Sequence, residues 1–218
     1  MRLNANQLKL LAMVTMTVDH IGVQLFPHLQ WLRMVGRLAM PIYAWMIAEG
    51  CAHTRNRKKY LLQLGGMALL CQLVYFFAMG SLFQCILVTF TLSVLVICAI
   101  DSGSPGKAVL ALCGALFLTV FLPQLLTGTD FAVDYSIWGV LLPVAIYLAN
   151  THRNKLLAAA ILLTGLALDF GGVQWLGLAA LLPLSLYDGT RGKAPIKWLF
   201  YLYYPLHLVA IYGISLIL

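Results

Sequence analysis

Apolar residues fill nine stretches of the 218-residue chain, at about 8–26, 36–53, 60–79, 84–100, 107–127, 135–150, 154–169, 172–187 and 197–217, with most of the charge in the short connections between them. A helix needs ~20 residues to cross ~30 Å of hydrocarbon, and fewer where protein or water covers its ends. The pattern therefore predicts an all-α fold, a polytopic transmembrane helical bundle of about nine helices forming a single domain over residues 1–218. Stretches six to eight are the shortest. The longest polar connections, 101–107, 127–134 and 187–197, leave no room for a module that works alone in water.

Composition points the same way. Hydrophobic residues make up 62% of the chain and charged residues 10%, against ~25% charged in a typical soluble domain, and the mean hydropathy is +0.91. Such a chain lacks the polar surface to cover itself in water. The net charge of +7 does not require nucleic acid, because the basic residues cluster between apolar runs, as in the cytoplasmic loops of membrane proteins. If the loop carrying Arg55, Arg57, Lys58 and Lys59 is cytoplasmic, nine alternating spans place twelve of the 14 basic residues inside. The exceptions are Arg33 and Arg37, on the outer side with Asp130, Asp134 and Asp169. The N-terminus is predicted inside and the C-terminus outside. Five cysteines without a C-x-x-C pair indicate neither a disulfide framework nor a zinc site. Arg2 and Lys9 before an apolar run suit a signal peptide, but no A-x-A-like cleavage site follows and Asp19 and His20 lie within it, so a retained first helix is expected.

Ionisable groups within hydrocarbon cost roughly 2.5–3.5 kcal/mol each on insertion scales, so each asks for a partner or a function. On the first helix, Thr15, Thr17, Asp19, His20 and Gln24 occupy one arc that should face the bundle interior, as a polar network or around a catalytic or proton-handling histidine. Asp19 and His20 are sequence neighbours and point about 100° apart, so they are not expected to pair with each other. Arg37, after Gly36, is placed to pair with Asp19 or to reach the outer headgroups. Glu49 and His53 lie four residues apart on one face and run into the basic loop. That loop reads as a topology determinant and anionic-lipid contact, or as a binder of a nucleotide-bearing cofactor's phosphates. Glu-x-x-x-His without a second ligand pair is a poor metal signal, and no metal is expected. In the last helix, Tyr203 and Tyr204 precede His207 by four and three residues and can flank its imidazole. Pro205 meanwhile frees a carbonyl near Tyr201 that could satisfy the ring. Asp134 opens the sixth helix as a helix-start charge or as the lining of an entrance.

Five segments together resemble the TraX family: V-D-H-I-G at 18–22, G-R-L-A-M-P-I-Y at 36–43, H-T-R-N-R-K-K-Y at 53–60, D-Y at 134–135 and Y-Y-P-L-H, whose last four residues are 204–207 with Tyr203 before them. Around Gln72 the sequence C-Q-L-V-Y-F follows that family's Ser-Gln-hydrophobic pattern loosely. Family members of conjugative plasmids acetylate the pilin N-terminus, and the family is similar to the transmembrane acyl transferases that include heparan-alpha-glucosaminide N-acetyltransferase. The resemblance implies a multi-pass enzyme of the bacterial plasma membrane. It would take acetyl groups from cytoplasmic acetyl-CoA, its donor substrate, to an amine or hydroxyl of a peptide, small molecule or sugar at the membrane or its outer side. It also implies a catalytic group of Asp19, His20, Arg37, Tyr204 and His207, with His20 as base or acetyl carrier and Tyr204 and His207 facing the oxyanion. Glu49, His53, Arg55, Arg57, Lys58 and Lys59 would serve acetyl-CoA, and Asp134 and Tyr135 the acceptor. The residues alone also admit a proton- or ion-coupled transporter, or a membrane scaffold.

Overall fold

The computed structural model describes residues 2–193 and 197–217, so the outermost residues of the 1–218 span and part of the last polar connection lie outside the described residues. The structure is all-helical, and the β-type pairing among these residues is confined to two isolated bridges, Leu3 with Tyr187 and Gln84 with Val133. In chain order the helices are α1 (Ala5–Gln24), α2 (Gln30–Gly36), α3 (Ala39–His53), α4 (Arg57–Met79), α5 (Ile86–Asp101), α6 (Pro105–Leu116), α7 (Leu122–Leu125), α8 (Ser136–Leu148), α9 (His152–Phe170), α10 (Leu181–Ser185) and α11 (Lys197–Ser215). A π-helical turn, Phe117–Phe121, joins α6 to α7, and a 3-10 segment, Gly172–Ala180, leads into α10. Each predicted apolar stretch coincides with a helical element. Two differences stand out: α2 is an additional short helix, and the eighth stretch is wound mostly as 3-10 helix. Among the described residues, two helices, Arg57–Phe77 and Pro105–Leu125, are long and apolar enough on their own to cross a membrane.

The chain packs as two compact units, Met1–Met46 with Leu156–Leu218, and Ile47–Lys155. In the first, α1 packs on α2 and α11, and α2 on the 3-10 segment. Leu8, Ala12, Ile42, Trp45, Leu163 and Leu184 are buried there. Asn4 caps α1 reciprocally with Gln7, each side chain meeting the other's backbone N–H at 3.0 Å. The same N-terminus is tied to the loop after α10, through Leu3 N–H to the Leu186 carbonyl and Ala5 N–H to the Thr190 carbonyl, both 2.8 Å.

In the second unit α5 is central, packed on α4, α6 and α8. Its serine and threonine supply polar contacts to α8 and the turn before it. Ser93 donates to the Val140 carbonyl at 2.9 Å and Thr89 to the Asp134 carbonyl at 2.8 Å. The π-helical turn has a local cause and a remedy. Pro123 lacks the N–H that would serve the Thr119 carbonyl four residues earlier, and the Ser136 hydroxyl donates to that carbonyl instead at 3.0 Å. Gln72, in the loosely matching motif, clips the connection after α4: its amide donates to the Phe83 carbonyl at 2.8 Å and accepts from the Cys85 N–H at 3.1 Å. Asp130 closes the same connection by accepting from the Ser81 hydroxyl (2.5 Å) and the Leu82 N–H (2.9 Å), and these bonds hold its carboxyl below the usual carboxylate range.

Candidate functional site

Helix α1 brings its polar arc to the interior of the first unit. Thr15 is buried and satisfied by the Leu11 and Ala12 carbonyls, whereas Leu10 and Val14 face outward. Met13 is buried alongside the arc. Asp19 and His20 diverge as their spacing requires and serve two different constellations.

Asp19 meets the turn between α2 and α3. Its Oδ1 accepts from Arg37 Nη2 at 2.6 Å, and Arg33 Nε stands 3.4 Å from the same oxygen. The Arg37 Nε–H also donates to the Arg33 carbonyl at 3.3 Å, and the Arg37 side chain is 5% exposed. The expected Asp19–Arg37 pair is thus present, and Arg33 joins it. Arg37 caps the short helix α2 rather than opening the next one.

The helices approach closely here because glycine faces a side chain in both directions. A Cβ on Gly22 would come within 2.7 Å of the Leu32 Cβ, and one on Gly36 would overlap the Asp19 side chain. The two arginines hold Asp19 in place, so it has no room to retreat. Gly36→Ala is therefore expected to destabilise the protein by about 1–3 kcal/mol, as overpacking does, and to loosen the ion pair. Unfolding of the detergent-solubilised variant measures this, and wild-type stability would overturn it.

His20 meets α11. Its Nδ1 lies 2.9 Å from the Met16 carbonyl and 3.3 Å from His207 Nε2, and the ring centroids are 5.0 Å apart, edge to face. His207 Nδ1 lies 2.9 Å from the Tyr203 carbonyl. The carbonyl that receives His207 is thus Tyr203's, one helical turn before it, rather than the one freed near Tyr201. A carbonyl can only accept, so each Nδ1 must carry hydrogen and each neutral ring has its lone pair on Nε2. The His207 lone pair then faces the His20 Nδ1–H. The His20 Nε2 lone pair has no partner among the described residues.

Tyr203 stacks on the His207 ring at 5.1 Å with planes 7° apart, and its hydroxyl bonds the hydroxyl of Thr17 on α1. Tyr204 stands edge-on to the same imidazole at 5.6 Å. Thus one tyrosine packs face to face rather than presenting its hydroxyl to the ring, and Thr17 and Tyr203 give α1 and α11 a second polar link.

The second unit holds the remaining candidates. Glu49 is paired with Lys155, Oε1 to Nζ at 2.6 Å, and His53 places Nδ1 2.9 Å from the Glu49 carbonyl and 3.7 Å from its carboxylate. Arg57 is committed to protein partners: an ion pair with Asp101, a bond to the Tyr147 hydroxyl at 2.7 Å, and one to the Cys51 carbonyl at 3.3 Å. Tyr147 in turn donates to Asp101 at 2.9 Å. Arg55, Lys58 and Lys59 are exposed, and no partner for their side chains is found among the described residues. Lys155, Asp101 and Tyr147 were not singled out from the sequence. Asp101 and Lys155 sit at helix ends where a solvated charge is the simplest reading, and Tyr147 carries no local signal.

Asp134 and Tyr135 form a strained turn. Tyr135 (φ 58°) and Ser136 (φ 48°) are successive non-glycine residues in the left-handed region, which is sterically costly. The Asp134 carbonyl takes the Thr89 hydroxyl, and Gly139 provides space, since a Cβ there would come within 2.8 Å of both Thr89 Cγ2 and Tyr135 Cβ. Among the described residues, no group of three or more His, Cys, Asp or Glu could hold a metal ion.

A family model described as TraX protein matches residues 4–215. The chain is 27% identical over 243 aligned positions to a probable fimbrial assembly protein, FimC of serogroup H1, from Dichelobacter nodosus, covering 94% of this chain and 93% of that one. A 38-residue stretch is 50% identical to an uncharacterised protein of Rickettsia prowazekii (strain Madrid E), covering 17% of this chain and 15% of that one. No solved structure matches the chain.

Proposed function

We propose, from the premise that this chain belongs to the TraX family, that it is a multi-pass membrane acetyltransferase moving an acetyl group from cytoplasmic acetyl-CoA to an amine or hydroxyl of an acceptor at the membrane or its outer side. The observation that carries the reading is His20, whose Nδ1–H is pinned by the Met16 carbonyl and backed by His207, leaving Nε2 as an oriented base. A base held by a third group is the arrangement that activates nucleophiles in transfer reactions. The membrane part is supported by the outer surface. Phe77 on α4 is 80% exposed, Leu110 on α6 is 74% exposed, and Leu62, Ile161, Leu168 and Leu182 are similarly open. Apolar exposure on this scale suits hydrocarbon rather than water.

In the proposed reaction His20 Nε2 takes the proton as the acceptor nitrogen or oxygen bonds to the thioester carbonyl carbon. The same proton then passes to the departing thiolate as the C–S bond breaks, leaving the acetylated acceptor and free CoA. In the intervening imidazolium, His20 Nδ1–H still faces the Met16 carbonyl and the His207 lone pair. His207 in its neutral form spends its N–H on Tyr203, so its part is to support the base, and the oxyanion is assigned to Tyr204. The phosphates of acetyl-CoA fall to Arg55, Lys58 and Lys59, with Arg57, Glu49 and His53 shaping the loop that presents them.

The test is the purified protein with acetyl-labelled acetyl-CoA and a panel of amines, peptides and sugars, with mass spectrometry of the products. The relative's name speaks of fimbrial assembly, so a fimbrial subunit belongs in the panel. Release of free CoA matched by an acetylated product supports the enzyme. Absence of thioester turnover, with solute uptake into liposomes, would move the reading to a transporter. Within the same assay, the combined variant Arg55→Gln, Lys58→Gln, Lys59→Gln is expected to raise KM for acetyl-CoA about tenfold or more, as lost charge-assisted bonds do. An unchanged KM would remove these residues from phosphate binding.

A further inference from the structure

We propose that Arg33, seconded by Arg37, binds an anionic oxygen group, a carboxylate or a phosphate, carried by the acceptor; the word acceptor rests on the acetyltransferase reading, while the anion site rests on the geometry. Two guanidinium groups converge on one oxygen of the single carboxylate of Asp19. Asp19 cannot turn to serve both equally, because the Gly36 backbone packs against it. Arg37 holds the short bond and is buried. Arg33 reaches Asp19 only through Nε, at 3.4 Å, with its side chain 37% exposed. Its two terminal nitrogens have no partner among the described residues. A planar pair of N–H donors beside a second cation is the geometry that takes a carboxylate or phosphate by two parallel bonds.

The placement along the chain is an independent sign. Arg33 and Arg37 are the two basic residues that the one-sided distribution of charge leaves on the other side, so topology does not account for them. Asp19 accounts for Arg37, but only in part for Arg33. Asp19 also precedes His20 directly on α1. An acceptor held by its anionic group at Arg33 would then carry its nucleophile near that group, as an amino acid or a phosphoethanolamine does.

The experiment has two arms, both on the full chain. In the first, thermal unfolding in uncharged detergent is followed against inorganic phosphate and, separately, acetate. A saturable rise in the midpoint is expected for wild type and for a control variant at an exposed lysine outside both sites, Lys107→Gln, with apparent affinity at least about tenfold weaker in Arg33→Gln, the scale of a lost charged hydrogen bond. The better of the two anions distinguishes phosphate from carboxylate. No rise with either anion, or an equal rise in Arg33→Gln, overturns the proposal. In the second arm, acetyl transfer is compared between glycine and glycinamide and between phosphoethanolamine and ethanolamine. The ratio of KM for the neutral to the anionic acceptor is expected to fall about tenfold in Arg33→Gln, and an unchanged ratio overturns the assignment to the acceptor. An anion-dependent midpoint shift lost in Arg33→Gln, with no transfer to any compound, would sink the acetyltransferase reading and leave the anion site standing.

Discussion

His20→Ala is expected to lower the rate of acetyl transfer about a thousandfold, within the range of 10²–10⁴ that a positioned general base contributes. Loss of a single lone pair has this effect because no other described group takes its place: His207 spends its N–H on Tyr203 and turns its own lone pair toward His20. The graded comparison is informative. His207→Phe keeps a ring against Tyr203 but removes the acceptor facing His20 Nδ1–H, so about a tenfold loss and a changed pH profile are expected, with the protein still folded. A His20→Ala protein that acetylates at the normal rate would remove His20 from the mechanism. Equal losses for the two variants would mean that His207 does more than orient its neighbour.

Asp19→Asn is expected to have the largest effect on stability, about 3–5 kcal/mol, the cost of stranding a buried charge by removing its partner. The substitution keeps the shape that fits against Gly36 but takes the Asp19 negative charge from Arg37, whose side chain is 5% exposed. Arg37→Met should cost less, because Asp19 keeps Arg33 at 3.4 Å. Asp19→Leu combined with Arg37→Met should recover part of the loss, since apolar replacement of a buried pair is often tolerated. Denaturant unfolding in detergent orders the three variants. Arg37→Met costing more than Asp19→Asn would show that Asp19 is not the centre of the cluster.

Much of this arrangement was readable in the residues. The nine apolar stretches were, because hydrocarbon-length runs leave little choice but helix. The arc of α1 was, because Thr15, Thr17, Asp19 and His20 recur with helical spacing. The Asp19–Arg37 pair was one of two readings open to Arg37, and the structure holds it. The short helix α2 was not evident, since Gln30–Gly36 mixes polar and apolar residues over seven positions with no side-chain cap. Nor was the 3-10 winding of Gly172–Ala180, a segment that packs against α2.

The sequence by itself determined the helical class and the clustering of basic residues between apolar runs, and it singled out candidate residues for a site, because composition, periodicity and the cost of charge in an apolar setting are properties of the chain alone. Only the tertiary structure decided which partner each residue takes. It brought His207 to His20 across 187 positions and so set which nitrogen of each ring keeps its lone pair. It brought Asp101 and Tyr147 to Arg57, withdrawing one cation of the basic loop from the others. It also set Arg33 beside an Asp19 already engaged by Arg37. Such pairings join positions far apart in the chain, and no local pattern encodes them. They are settled when the helices pack and each buried polar group must find its bond.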